Sequence, residues 1–152
     1  MTFRRASLAL LVAAPACRGS DALSPQAVAG TYVLRAAAGA PLPYVLPSSR
    51  TRVVTLEQDT LVLAPGGALS RRSVVRAYVG PCATPQEPVL CLPPSDSYAE
   101  VRRDGTWQVR GAGVALRLDP DSAVAARGAD GVLRFSLDLG LGPAALEYAP
   151  VR

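Results

Sequence analysis

The stretch Val132-Leu133-Arg134-Phe135-Ser136-Leu137-Asp138-Leu139 alternates between apolar and polar side chains with a period of two. The leucines and Phe135 fall on one face, while Arg134, Ser136 and Asp138 fall on the other. Because successive side chains of a β-strand point to opposite faces, this alternation predicts a strand with one buried and one solvated face. The sequence therefore favours a fold built from sheet.

The same alternation recurs on both sides of this stretch, between turn signals. Further strands are predicted over residues 30–37, 51–57, 60–64, 69–79, 97–103, 106–110, 114–118 and 144–148. Gln58-Asp59 is interpreted as a tight connection and Pro65-Gly66-Gly67 as a turn. Asp104-Gly105 predicts a type I′ hairpin turn, because both central positions of that turn need a positive φ. Residues 119–131 are interpreted as a link with one helical turn over 122–127.

Eight or nine strands joined by short turns predict an all-β, antiparallel meander. One apolar face per strand fits a closed barrel, with a β-sandwich as the alternative. Arg117, Arg134 and Asp138 should then lie outside the barrel. The predicted enclosed face consists of Tyr32, Leu34, Trp107, Val109, Val114, Leu116, Leu118, Leu133, Phe135 and Leu137.

The composition describes globular material with few reactive side chains. The 152 residues are 49% hydrophobic and 18% charged, and they include no His. All 16 basic residues are Arg, so Schiff-base lysines and the lysine of a Walker phosphate loop are excluded along with histidine bases and metal ligands. The arginines are scattered and form no basic stripe, which argues against nucleic-acid binding. We therefore expect no enzyme activity and no cofactor.

Asp119-Pro120-Asp121 is the only close acidic cluster in a predicted loop. A calcium loop needs several more oxygen ligands and a terminal Glu, which do not follow here. The cluster is interpreted as a turn, and no metal site is predicted.

The first residues have the organisation of a secretory signal peptide. Arg4 and Arg5 precede a nine-residue apolar run over 6–14, which is too short to span a membrane. Ala14-Pro15-Ala16-Cys17 resembles the lipobox of bacterial lipoproteins, in which the Cys becomes the lipidated first residue. We therefore expect a signal peptide over 1–16, lipidated Cys17 with a flexible tether over 17–27, and a single barrel domain over 28–152.

Two cysteines remain after Cys17, namely Cys82 and Cys91. They lie in a proline-rich stretch that cannot form regular structure, and an exported chain usually pairs such residues. Their spacing does not fit a CxxC redox or zinc site. We predict a disulfide that pins a long loop.

Two short motifs resemble small lipocalin-like bacterial lipoproteins. They are Gly30-Thr31-Tyr32-Val33-Leu34 at the first strand and Asp104-Gly105-Thr106-Trp107, followed by Gly111 and Val114-Ala115-Leu116. The resemblance covers residues 28–148. It implies an eight-stranded up-and-down barrel with an apolar ligand cavity. The predicted lipid on Cys17 would anchor this barrel at the periplasmic face of the outer membrane or at the cell surface.

Two functions follow, and the volume of the core separates them. The first is a non-enzymatic barrel that binds a small apolar or amphipathic ligand in a cavity lined by Tyr32, Trp107, Leu116 and Phe135. The second is an envelope interaction or inhibitor module with a filled core that acts through its loops. In both, the two double arginines, Arg71-Arg72 and Arg102-Arg103, place one side chain on each strand face, so one of each pair should point to the interior or the rim.

Overall fold

Strands make up nearly all of the computed structural model, which describes residues 23–46, 52–79, 95–139 and 143–151. No helix among these residues has the length and apolarity needed to cross a membrane. The elements in chain order are α1 Pro25–Val28, β1 Gly30–Ala37, β2 Ala40–Pro41, β3 Tyr44–Leu46, β4 Arg52–Leu63, β5 Ala68–Val79, β6 Ser95–Arg110, β7 Gly113–Leu118, β8 Asp121–Arg127, β9 Leu133–Asp138 and β10 Pro143–Pro150.

Eight of these strands close into an antiparallel barrel, which confirms the predicted fold class. Strands β4 to β10 follow one another around the sheet, and β1 pairs with both β10 and β4. Tyr32 of β1 shows the closure, since it lies opposite Pro150 on one side and Leu61 on the other. The two short strands are additions at the wall: β2 pairs with β1, and β3 pairs with β4. The β-sandwich alternative does not occur.

The predicted enclosed face is confirmed. Nine of its ten residues are buried, and Val109 is half-buried and packs against the same core. Arg117, Arg134 and Asp138 lie outside, as the alternation requires. The strands with the cleanest alternation, β1, β7 and β9, have the predicted faces because a period of two fixes the register wherever one face is buried.

The predicted hairpin turn at Asp104-Gly105 is wrong, because β6 continues through both residues. Gly105 does not have a positive φ. A Cβ at this position would lie 1.9 Å from the carbonyl oxygen of Arg117 on β7. Glycine is therefore needed here for the close approach of a neighbouring strand and not for a turn.

Two further connections predicted from the sequence are also strands. The Gln58-Asp59 connection is wrong, because β4 continues through it with an irregular register between Leu56 and Gln58. The helical turn predicted over 122–127 is wrong as well, because these residues belong to β8, where 122–126 pair with β7 and Arg127 pairs with Leu133 of β9. The alanine-rich sequence of β8 favours helix locally, and the ladder with β7 overrides that preference.

One end of the barrel is capped by α1. Ser24 caps the helix N-terminus, and Val28 at its other end is fully buried in the core. The Tyr32 hydroxyl donates a hydrogen bond of 2.6 Å to the Val28 carbonyl, which fixes the helix against β1. At the same end, Trp107 Nε1 donates to the Ala64 carbonyl at 2.8 Å. The helix occupies the last residues of the segment that the sequence assigns to the tether.

The opposite end carries an extension of the sheet, which we call the ribbon. It consists of β3, residues 52–56 of β4, residues 74–79 of β5 and residues 95–104 of β6. Strand β6 pairs with β5 from Ser95 to Thr106, but with β7 only from Gly105 to Arg110. The first ten residues of β6 therefore extend past the end of β7 with β5 as their partner.

Candidate functional site

The four residues proposed to line a ligand cavity all lie in the packed core. Tyr32, Trp107, Leu116 and Phe135 are each at most 6% exposed. The Phe135 ring stacks on Tyr148 with a centroid distance of 5.4 Å and an interplanar angle of 5°. The structure thus brings all four into one cluster of buried apolar side chains.

Cys17, Cys82 and Cys91 lie outside the described residues. Lipidation of Cys17 and the disulfide between Cys82 and Cys91 remain predictions from the sequence.

A buried ion pair joins the neighbouring strands β4 and β5 on the inward face of the barrel. Arg71 Nε lies 3.2 Å from Oδ1 and 2.9 Å from Oδ2 of Asp59, and Arg71 Nη2 lies 2.5 Å from Oδ2. The Ser73 hydroxyl donates to the same Oδ2 at 2.8 Å. The side chains of Arg71 and Asp59 are 6% and 0% exposed. The carboxylate thus accepts hydrogen bonds from two neighbouring side chains on one strand, which is how a buried charge is tolerated.

Tyr148 adds a hydroxyl to this buried cluster. Burial is the main cause that raises the pKa of Tyr148 well above its ordinary value, and the negative charge of Asp59 acts in the same direction. Burial also lowers the pKa of Arg71, but Tyr148 and Asp59 more than offset this, so the pKa of Arg71 is raised. The Tyr148 hydroxyl makes no hydrogen bond among the described residues. The cluster therefore holds one pair of charges and one neutral phenol.

The sequence predicted part of this cluster. Arg71 points inward while Arg72 is 64% exposed, so the expectation of one side chain per face is confirmed at this double arginine. Asp59 was missed because Gln58-Asp59 resembles a turn. A signal was available in the alternation. Asp59 lies two and four residues before the buried Leu61 and Leu63, so a continuous strand would place all three on the same inward face.

A cavity of about 180 Å³ opens above the ion pair, at the ribbon end of the barrel. Arg71 and Ser73 contribute to it from inside, and Arg103 and Asp138 contribute at the rim. Its remaining lining residues are Leu46, Leu56, Val75, Val101 and Leu139. The volume lies below the ~300–1,000 Å³ that is usual for small-molecule sites. No group of three or more potential metal ligands comes together among the described residues.

A second pocket lies on the barrel wall. Trp107 and Leu116 border this groove of about 550 Å³, although their side chains belong to the core. The other lining residues come from β6, β7 and β8 and include Thr106, Gln108, Arg117 and Val124, which are exposed. The groove is open to solvent and is distinct from the predicted interior cavity.

The outer face of the ribbon carries exposed aromatic side chains, which we call the tyrosine patch. Tyr98 is 63% exposed, Tyr78 is 42% exposed, and Val53 lies directly opposite Tyr78. Arg76 binds Asp96 through Nε–Oδ1 and Nη2–Oδ2 contacts of 2.8 and 2.5 Å. The same guanidinium carbon lies 5.7 Å from the centre of the Tyr98 ring. The ion pair thus holds a cation against an exposed ring.

Exposed apolar and aromatic side chains concentrate on the ribbon. Of the eight large hydrophobic residues that are exposed in the described part of the chain, five belong to it. These five are Val45, Val53, Tyr78 and Tyr98, together with Val101, which lines the cavity above the ion pair.

Comparison with protein-family models, with curated proteins and with solved structures gives no match for this chain.

Proposed function

We propose that this chain is an exported, lipid-anchored and non-enzymatic protein of the cell envelope that binds another protein through its ribbon. The barrel serves as a rigid scaffold, and the tyrosine patch supplies the contact surface. The observation that carries this proposal is the combination of an interior of buried apolar side chains with an exposed aromatic patch at one end. It favours the interaction module over the ligand-binding barrel.

The filled interior argues against a large ligand inside the barrel. Eighteen buried apolar residues form one cluster, and the side chains of the buried ion pair also lie on the inward face of the barrel. A solid core gives a specific test. Phe135→Ala should lower the free energy of unfolding by roughly 3–5 kcal/mol, because it leaves a cavity beside Tyr148. Val124→Ala, at a side chain that is 70% exposed, is the control and should change stability by less than about 0.5 kcal/mol.

The tyrosine patch has the composition of a protein-binding surface. Tyrosine and arginine are enriched where proteins meet, because each combines a large contact area with hydrogen bonding. Arg76 is held in place by Asp96 and by the Tyr98 ring, so little side-chain freedom remains to be lost on binding. Isolated exposed hydrophobic residues need no explanation, but a contiguous group indicates an interaction site.

The position of the patch suits an anchored protein. The chain that leads from Cys17 enters the barrel at α1, which caps the end opposite the ribbon. A lipid on Cys17 would therefore hold the capped end towards the membrane and direct the patch away from it. Replacing Cys17 by Ser should release the chain in soluble form. A variant that still fractionates with membrane through a diacylglyceryl-linked N-terminus would contradict the anchoring.

Photo-crosslinking in intact cells tests the contact surface. A benzophenone side chain at position 98 should give a protein adduct, because Tyr98 is the more exposed of the two aromatic residues of the patch. The same probe at position 124 is the matched control, since Val124 is 70% exposed, compared with 63% for Tyr98, but lies on β8, away from the ribbon. Equal yields at both positions, or none at position 98, would overturn the proposed function.

A small ligand at the ribbon end is the second candidate. The observation that favours it is the cavity of about 180 Å³, into which the buried Arg71 and Ser73 contribute polar atoms next to apolar Leu56 and Val75. Such a lining fits a small amphipathic molecule with a hydrogen-bond acceptor. Mass spectrometry of an organic extract from natively purified protein should then recover a stoichiometric small molecule, and Arg71→Met should abolish its recovery.

A further inference from the structure

Strand β6 presents a long open edge. Its residues 95–104 pair with β5 on one side, and no strand of the described chain pairs with them on the other side until Gly105 meets β7. The side chains from Ser95 to Arg102 are exposed. An edge of this length leaves a row of backbone N–H and C=O groups that can pair with a further strand.

We propose that this edge pairs with the same edge of a second copy of the chain, as an antiparallel β6–β6 dimer around a twofold axis. The inference rests on the proposed function, because it names the partner of the ribbon. Pairing would extend the sheet from one copy into the other and place the two tyrosine patches on one continuous face.

The charges along β6 select this partner and one register. A twofold axis perpendicular to the sheet keeps outward residues opposite outward residues, so even-numbered positions pair with even-numbered ones and odd-numbered with odd-numbered ones. Of the registers that satisfy this rule, two pair nine residues. In the first, Asp96 faces Arg102 of the partner subunit at two symmetric places, which is attractive.

The second nine-residue register is repulsive. It places Asp96 opposite Asp104 of the partner subunit and Glu100 opposite itself, and like charges directly opposite each other destabilise a sheet. A shift by two residues thus converts attraction into repulsion. Sheet edges that are protected against association carry charges that repel a second strand. The charges of this edge instead attract a second copy in the first register.

In the favoured register, Ala99 lies opposite Ala99 of the partner subunit. Asp96, already bound by Arg76, gains a second arginine neighbour across the axis. The Arg102 side chain is 69% exposed and lies 3.2 Å from Asp104. In the dimer it would exchange this exposed contact for one with Asp96 of the partner subunit. The α1 helices of the two copies lie at opposite ends of the dimer.

Cysteine crosslinking tests the register. In the full chain purified in detergent, Ala99→Cys should form a disulfide-linked dimer under mild oxidation, because opposite Cα atoms lie ~4.5–5.5 Å apart, within disulfide range. Val101→Cys is the matched control, since position 101 faces Ser97 of the partner subunit and lies about 14 Å from its own copy. The unsubstituted chain controls for its own cysteines.

Charge reversal tests the attraction without touching the core. Arg102→Glu should weaken the dimer at least tenfold in sedimentation equilibrium, because a carboxylate at position 102 would face Asp96 of the partner subunit. Arg117→Glu makes the same change in charge on the exposed face of β7 and should leave dimerisation unchanged. Unchanged circular dichroism of both variants would show that each remains folded.

The outcomes separate this inference from the function on which it rests. Efficient crosslinking at position 99 and weak crosslinking at position 101 support the dimer. Crosslinking at position 101 with none at 99, or a monomer at all concentrations, overturns it. If the dimer is absent while the probe at position 98 still captures another protein, the ribbon binds a different partner and the proposed function survives. If both fail, both are wrong.

Discussion

Arg71 directs two of its guanidinium nitrogens at the single carboxylate of Asp59, inside a barrel whose other buried side chains are almost all apolar. The pair is placed by strand register, because Asp59 lies opposite Ser73 and Leu61 lies opposite Arg71. Each charge is thus compensated by a partner on the neighbouring strand. A buried pair of this kind makes stability depend strongly on the presence of both members.

We expect Arg71→Met to lower the free energy of unfolding by about 3–5 kcal/mol, because it leaves the Asp59 carboxylate buried without a counter-ion. The double variant Asp59→Leu with Arg71→Met should recover most of that loss, since no charge then remains in the core. Urea denaturation of the two variants and of the unsubstituted chain measures both effects. A double variant as unstable as the single one would show that the pair contributes through packing.

The sequence predicted those strands of the barrel whose side chains alternate regularly between the two faces. The strands β7 and β9 follow from their own residues, because large apolar side chains recur at every second position and are buried there. The prediction failed at Asp59 and Gly105, whose residue types favour turns in isolation. Their actual roles depend on a partner across the sheet, namely Arg71 for Asp59 and the Arg117 backbone for Gly105.

The ribbon could not be predicted for a related reason. The ribbon exists because β6, with 16 residues, extends beyond β7, with 6 residues. The residues of one strand do not indicate where its neighbour ends. The predicted turn at Asp104-Gly105 divided β6 into two short strands and thereby removed the extension. The tyrosine patch was missed with it, because Tyr78 and Tyr98 become neighbours only through the pairing of β5 with β6.

The burial of Tyr148 predicts that the free energy of unfolding falls at alkaline pH. Its pKa is raised in the folded state, so its contribution to stability is complete below the unfolded pKa of about 10 and is lost as the pH rises above that value. At pH 11, one unit above the unfolded pKa, this group should lower the free energy of unfolding of the unsubstituted chain by about 1.4 kcal/mol. Tyr148→Phe should remove this loss while changing stability at pH 7 by less than about 1 kcal/mol, because the hydroxyl has no hydrogen bond among the described residues.

Chemical denaturation at pH 7 and pH 11 measures the difference between the two proteins. Tyr98→Phe is the control, because it removes the same hydroxyl group from a ring that is 63% exposed and lies outside the core. Identical losses for Tyr148→Phe and the unsubstituted chain would contradict the assignment to Tyr148.

The two cysteines of the proline-rich segment give a prediction that depends only on the sequence. We expect Cys82 and Cys91 to be joined in exported protein, with a stabilisation of roughly 2–3 kcal/mol from the closed loop. Non-reducing peptide mapping should recover a cross-linked pair of peptides that separates after reduction. Two free thiols that react with an alkylating reagent in periplasmic material would rule the disulfide out.

Gly105 sets the distance between β6 and β7 at the point where the ribbon leaves the barrel. Gly105→Ala would place a methyl group 1.9 Å from the Arg117 carbonyl oxygen, and because that atom is backbone, the strands must separate. We expect a loss of about 1–3 kcal/mol in the free energy of unfolding, as for other overpacked sites. Hydrogen exchange should also become faster for the amides of residues 105–110 than for those of β9.

Gly66→Ala is the matched control for this substitution. Gly66 lies in the turn between β4 and β5, does not have a positive φ, and a Cβ there would have no heavy atom within 4 Å. Its replacement should leave stability unchanged or raise it slightly by restricting the unfolded chain. Equal stabilities for Gly105→Ala and Gly66→Ala would mean that β6 and β7 do not approach as closely as described, and the continuous β6 strand would have to be reconsidered.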